Sequence, residues 1–288
     1  MENTIKKLQS LDLNTHIHAA NFLAKYKRFS GLSKAQQNAI EKLAERYLLF
    51  HNSNIKLIGY SHSIIEKRTK SLNEYFNFIS SNNFDNIFSS QSKFRPTIME
   101  EFMFYLFRDL ILDIKKNIND NDNQLKLGGA KAYTNLYFSA KNLESFIQEP
   151  KIGVNQKDQD FAIYRPISLL IEGTTNIHAN LPVVAIENKT FIDKTMLEGS
   201  IATAEKIKSG NPYSLYFIVT ETYEVDLNVD PAYSRINQIY VLRKCKRRDV
   251  INPIYSDVLC DLLDNIKIHL ERDWSNIEEK LTQHGRII

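Results

Sequence analysis

The stretch Leu181-Pro182-Val183-Val184-Ala185-Ile186-Glu187-Asn188-Lys189 decides how this chain is read. A short apolar run ends in an acid, an amide and an amine, the pattern of a buried strand emerging from a core. Period two places Glu187 and Lys189 on the same strand face. An acid-x-Lys triplet is common by itself, and Asp113-Ile114-Lys115, Glu149-Pro150-Lys151 and Glu278-Glu279-Lys280 also occur. The first and third fall in helical patterns, and the second is interrupted by proline. Only the triplet at Glu187 therefore presents its acid and amine side by side from a strand end.

Working outward, Asp158-Gln159-Asp160-Phe161-Ala162-Ile163-Tyr164 reads as a second short strand opening with acids. If the two strands pair, Asp160 sits beside Glu187. Carboxylates brought together repel, and one pKa rises, unless a hard divalent cation lies between them. Oxygen-rich ligands without cysteine suit Mg2+ or Mn2+ rather than zinc, with the Asn188 carbonyl as a further ligand beside Asp160 and Glu187. The Lys189 ammonium would orient a water or steady charge building on a phosphate. The chemistry these groups point to is metal-assisted phosphodiester hydrolysis. Asp160 alone is more often a strand-end cap, and its weight comes from the company of Glu187 and Lys189.

Further strands are expected at Tyr133 to Ala140, Leu215 to Thr220 and Gln238 to Leu242, giving an α/β (α+β) architecture with a mixed sheet. A helix from Lys194 to Ser209, stopped by Gly210 and Pro212, makes a βαβ crossover and so a locally parallel pair. A last amphipathic helix is expected from Asp257 to Leu281. Residues 1–92 read as a helical region, in which Ser33 precedes Ala35, Ala39, Ile40, Leu43, Ala44, Tyr47 and Leu48 at helical spacing. Residues 93–288 form the second unit. It opens with a helix after Pro96 bearing Ile98, Met99, Phe102, Met103, Leu106, Phe107, Leu110 and Ile111, followed by a polar loop from Asn117 to Gly129.

The chain has 288 residues, 43% hydrophobic and 25% charged, enough for a sizeable core. No apolar run approaches the roughly 20 residues of a membrane span, and no secretory signal is visible. Two cysteines, Cys245 and Cys260, point to a reducing compartment. The net charge of +3 announces no nucleic-acid binder, but Arg243, Lys244, Lys246, Arg247 and Arg248 cluster after an apolar run and are candidates for phosphate contact. A solvated loop explains them equally well. His16 and His18 lie close in sequence without an evident third ligand, so no metal role is expected there.

Asp160 followed by Glu187-Asn188-Lys189 resembles the PD-(D/E)xK nuclease superfamily, with Gln159 standing where the name-giving proline would be. The resemblance covers about Thr97 to Thr220. It implies a restriction-endonuclease-like core, metal held by Asp160 and Glu187, and Lys189 assisting water. It also implies a glutamate from the helix preceding the sheet. Glu100 flanks that helix's apolar face and is preferred over Glu101, which falls on the far side beside Arg108. Two solvent-facing acids in a helix's first turn are the plainer alternative.

The order of elements is most similar to type II restriction endonucleases, and more distantly to the group containing DdeI and BbvCI. This implies Mg2+-dependent, sequence-specific cleavage of double-stranded DNA in a prokaryotic cytoplasm. Because one site cuts one strand, a homodimer or a heterodimer with a related subunit is expected. The alternatives are a structure-specific repair nuclease or resolvase, and a catalytically silent DNA-binding protein.

Overall fold

The computed structural model describes residues 2–82, 84, 94–170, 176–247, 249–285 and 287. Helices α1 (Glu2–Gln9), α2 (Ile17–Tyr26), α3 (Lys34–Lys56) and α4 (His62–Ser81) form the N-terminal part. Ser33 starts α3 as its position suggests. Its hydroxyl accepts the Gln36 N–H at 3.3 Å, and the Gln36 side chain accepts the Ser33 N–H at 3.1 Å. Two donors that a helix start leaves open are thereby satisfied. Ala39, Ile40, Leu43, Ala44 and Tyr47 are buried, so their spacing marks a packing face. Helix α5 (Pro96–Asn117) begins on proline, whose missing N–H would have had no helical acceptor.

Strands β1 (Lys126–Ser139), β2 (Lys151–Leu169), β3 (Ile177–Ile192), β4 (Leu215–Tyr223) and β5 (Gln238–Val241) form one sheet in chain order. Strands β1, β2 and β3 pair antiparallel, whereas β3, β4 and β5 pair parallel. The β3–β4 crossover is α7 (Lys194–Gly210), capped by the Asp193 carboxylate accepting the Met196 N–H at 2.8 Å. A short helix, α6 (Leu143–Gln148), lies between β1 and β2, and α8 (Ser256–Glu271) follows β5.

Alternation along the strands divides the side chains between two faces. Phe161, Ile163, Val184, Ile186, Phe217 and Val219 join α5, α8 and the N-terminal helices in one core that reaches Ile5. Ala132, Ala185, Tyr216 and Ile218 pack beneath Leu197, Ala204 and Ile207 of α7. The end of α7 lies so close to β1 that a Cβ on Gly210 would stand 2.2 Å from the Thr134 carbonyl oxygen. The core joins residues on both sides of the expected division at 92/93, while the division itself falls among residues 85–93, outside the described residues.

Several boundaries differ from expectation. Strand β2 runs Lys151–Leu169 and β3 runs Ile177–Ile192, so Asp160 and Glu187 lie within long strands rather than at the ends of short ones. Strand β1 begins at Lys126, inside the segment read as loop, because Gly128 at φ +131° accommodates a register shift between Gly128 and Ala130. Helix α8 stops at Glu271 rather than Leu281. There Trp274 turns back, stacks on His269 at 5.3 Å and donates its indole N–H to the His269 carbonyl at 2.7 Å. Among the described residues no helix is long and apolar enough to cross a membrane.

Candidate active site

The β2–β3 ladder ends at the pair Phe161 and Ile186. Beyond it, the Asp160 carboxylate accepts the Asn188 N–H at 2.8 Å. A side chain thus replaces the next strand acceptor, and the strands part at a fork marked by Asp160 and Glu187. Polar groups crowd this fork. Gln159 and Asn188 are both buried, with the Gln159 Oε1 and both amide atoms of Asn188 lacking hydrogen-bond partners. A buried unpaired group costs about 1–3 kcal/mol.

Glu187 and Lys189 share a face, as period two requires. Lys189 Nζ lies 2.7 Å from Glu187 Oε1, with the two side chains 29% and 23% exposed. Glu187 Oε2 accepts the Tyr216 hydroxyl of β4 and lies 3.0 Å from Ser200 Oγ of α7. Burial pushes Glu187 upward, but the hydrogen bonds from Lys189 and Tyr216 and the Lys189 charge outweigh it, leaving the carboxyl below its ordinary value. For Lys189 burial acts downward and is outweighed by Glu187, then by the charges of Asp160 and Glu100, so its pKa is raised. Lys189 therefore stays an ammonium at neutral pH. Burial, followed by the Glu187 charge, raises Tyr216 well beyond the ordinary phenol range, so it remains a donor.

Three of the expected acids thus bear on one ammonium: Glu187 by contact, and Asp160 and Glu100 through charge. Tyr216 and Ser200 were not anticipated. Tyr216 lies in an apolar run that reads as core, yet a buried tyrosine hydroxyl usually has a partner. Its parallel register, Tyr216 beside Ala185, places it on the α7 side of the sheet near Glu187.

Glu101 is not the solvent-facing acid that its helical position suggests. It is fully buried, because the N-terminal helices cover the far side of α5. Its carboxylate accepts hydroxyls from Tyr47 and Tyr105, each at 2.6 Å, and the His18 N–H at 2.9 Å. Burial would raise its pKa, and His16, His18, Tyr105 and Tyr47 together bring it below the ordinary value. His18 and His51 are held near 4, chiefly by burial.

Among the described residues, His16, His51 and Glu101 form the one group of three such side chains whose ligand atoms lie within 4.8 Å of one another. His18 is not among them: His16 is joined instead by His51 of α3 and Glu101 of α5. Yet the Tyr105 hydroxyl lies among them, 2.6 Å from Glu101, 2.8 Å from His51 Nδ1 and 3.4 Å from His16 Nδ1. A hydrogen-bonded network already links the group without an ion.

The basic cluster also divides. Arg243 is 6% exposed, and its guanidinium donates to Glu221 at 2.8 Å and to the Asn252 carbonyl at 2.5 Å. Arg95 binds Glu221 through two further bonds of 2.8 Å, and both guanidiniums lie over the Phe76 ring. Against expectation, Arg243 is therefore engaged in an internal ionic cluster and not available to a phosphate. Continuing β5 alongside β4 turns its side chain toward the core, where Glu221 awaits it. Lys244 pairs with Asp257, and Arg247 lies over Phe191 at 4.5 Å. Lys246 is half-buried, and Arg248 lies outside the described residues.

The chain resembles a solved structure described as the native BbvCI A2B2 tetramer at low resolution. The match has a TM-score of 0.65 and 20% sequence identity, and covers 85% of this chain and 96% of the other. That likeness establishes the fold, a restriction-endonuclease-like mixed α+β sheet. A comparison with curated proteins finds no significant match. The sequence model of the Bpu10I restriction endonuclease family matches residues 91–252, a span that contains α5, the β2–β3 fork and the β3–α7–β4 crossover. The chain belongs to the Bpu10I restriction endonuclease family.

Proposed function

We propose that the chain is a type II restriction endonuclease that cleaves double-stranded DNA at a specific sequence, with Mg2+ as cofactor and Mn2+ as a substitute. The observation that carries this reading is the fork itself, where Asp160 is fixed on the Asn188 N–H and Glu187 stands against Lys189. The donor set fits a hard divalent cation: carboxylates from Asp160 and Glu187, with the Asn188 carbonyl as a third oxygen. Glu100 would add a charge from α5. Bound there, the ion would supply Lewis acidity toward the phosphate and a more acidic water.

The chain's own residues do the remainder. Lys189, kept protonated by its acids, serves as a cation and hydrogen-bond donor toward the scissile phosphate or its attacking water, not as a proton acceptor. Tyr216 and Ser200 orient Glu187 from behind. Lys244, Lys246, Arg247 and Arg248 remain candidates for backbone phosphate contact. Two chains, or one chain and a related subunit, would act together on the two DNA strands.

Incubation with phage DNA and Mg2+, followed by sequencing of the ends, tests the reading. Discrete bands with one shared end sequence are expected, and a smear or uncut DNA with either metal speaks against it. Glu187→Ala should lower cleavage by roughly 100-fold or more while leaving DNA binding in Ca2+ largely intact.

A further inference from the structure

We infer that the arm built from the far halves of β1 and β2 together with α6 is the surface on which a second copy of this chain docks. The inference rests on the reading above that two sites act as a pair, and it names the surface that pairs them.

Beyond Asn135 every residue of β1 is exposed, and α6 buries none of its side chains. The register sets Leu136 against Val154, Tyr137 against Gly153 and Phe138 against Ile152. Alternation therefore gathers Leu136, Phe138, Ile152 and Val154 on one face of the ribbon. Tyr137 falls on the other face, its ring so close over Gly153 that a Cβ there would lie 2.4 Å from it. The apolar face is only partly covered: Leu136 is 37% and Phe138 62% exposed, Ile152 and Val154 are half-buried, and on α6 Leu143 and Ile147 are 73% and Phe146 52% exposed.

Large side chains expose roughly 150–250 Å2 each when free, so these residues leave about 500 Å2 of apolar surface in water, near the upper end for a monomer. Two such arms set against each other would bury about 1,000 Å2, the lower bound for a specific protein interface. The same patch on both partners satisfies two-fold symmetry. Charge favours a protein over DNA as the occupant. Between residues 136 and 155 the arm carries Lys141, Lys151, Glu144 and Glu149, which cancel. A strand-tracking arm would be basic. Balanced charges allow Lys–Glu pairs across a two-fold axis, and β1, which meets β3 at Ala132, adds main-chain groups along its outer edge beyond Asn135.

Sedimentation velocity across a range of concentrations tests the inference on the full chain. Two variants are compared, Leu143→Asp/Ile147→Asp on the exposed helix and Phe138→Ser on the ribbon, with far-UV circular dichroism and thermal melting as folding controls. The wild type should be dimeric, and each folded variant should dissociate at a concentration roughly 30-fold higher or more. A monomeric wild type, or a helix variant that remains equally dimeric, overturns the inference. So does a variant that stays dimeric but loses DNA affinity, which would assign the arm to DNA. Cleavage is assayed in parallel to separate the two readings. A wild type that cuts DNA as a monomer overturns the docking surface alone, and a dimer that cuts nothing and binds no divalent ion overturns the nuclease alone.

Discussion

Glu101, fully buried, and Glu187, 23% exposed, are both carboxylates held below their ordinary pKa, and they are held by different means. Around Glu101 the donors are the Tyr105 hydroxyl of α5 itself, the Tyr47 hydroxyl of α3 and the His18 main-chain N–H of α2. Glu187 instead has a half-buried lysine, a tyrosine and a serine, and faces a fork where two strands part. The first carboxylate is enclosed among internal donors. The second is fixed from behind and keeps a partly exposed cation in front. A lowered pKa is common to both, so it does not by itself mark out a functional acid.

Removing each acid's partners should separate the two regions. Glu101→Ala should lower unfolding free energy by about 3–5 kcal/mol, since the Tyr47 hydroxyl and the His18 N–H would be left buried without this acceptor. Urea denaturation measures it, and a loss under 1 kcal/mol would break the comparison. Lys189→Ala should do the reverse, lowering cleavage roughly 100- to 1,000-fold with little change in the denaturation midpoint.

Acidification should act on the enclosed region first. His18 and His51 titrate near 4 when folded, against an ordinary 6.5. Between those values the unfolded chain takes up protons that the folded chain refuses, so stability should fall as pH drops from about 6.5 toward 4. The lowered carboxyls of Glu101 and Glu221 act in the same direction: their contribution is present above the ordinary carboxylate value and is lost as pH falls through their folded values. Melting temperatures from pH 7.5 to 4.5 check this, and a flat profile would contradict it.

A smaller effect sharpens the other side. Tyr216→Phe removes a donor from Glu187 and should raise its pKa. Divalent metal binding by the free protein, followed by calorimetry, should weaken by up to about tenfold on the acid side of its pH profile. Identical profiles would mean the hydroxyl only fills space. Least of all, Lys244→Ala should change stability by under about 1 kcal/mol because its ion pair with Asp257 is exposed.

The centres of the five strands and the crossover were legible because period two and helix stop signals are local properties. So was the shared face of Glu187 and Lys189, although β3 continues to Ile192 and the triplet lies inside the strand, where pairing with β2 stops, rather than at a strand end. What stayed hidden depends on contacts made across long separations. The helical wheel gives α5 one apolar face, but the N-terminal helices cover the other as well, so Glu101 has no exposed side to occupy. A run of basic residues looks solvated until Glu221, 22 residues earlier, is found against Arg243. The extension of β1 back to Lys126 through two glycines follows from a bulge that a loop-like composition conceals.

The Arg95–Glu221–Arg243 cluster ties the residue just before α5 to the end of β4. Glu100 stands five residues past Arg95, about 7.5 Å along the axis at 1.5 Å per residue. The strand that carries Tyr216 and the helix that carries Glu100 are thereby pinned to each other within two turns of that acid.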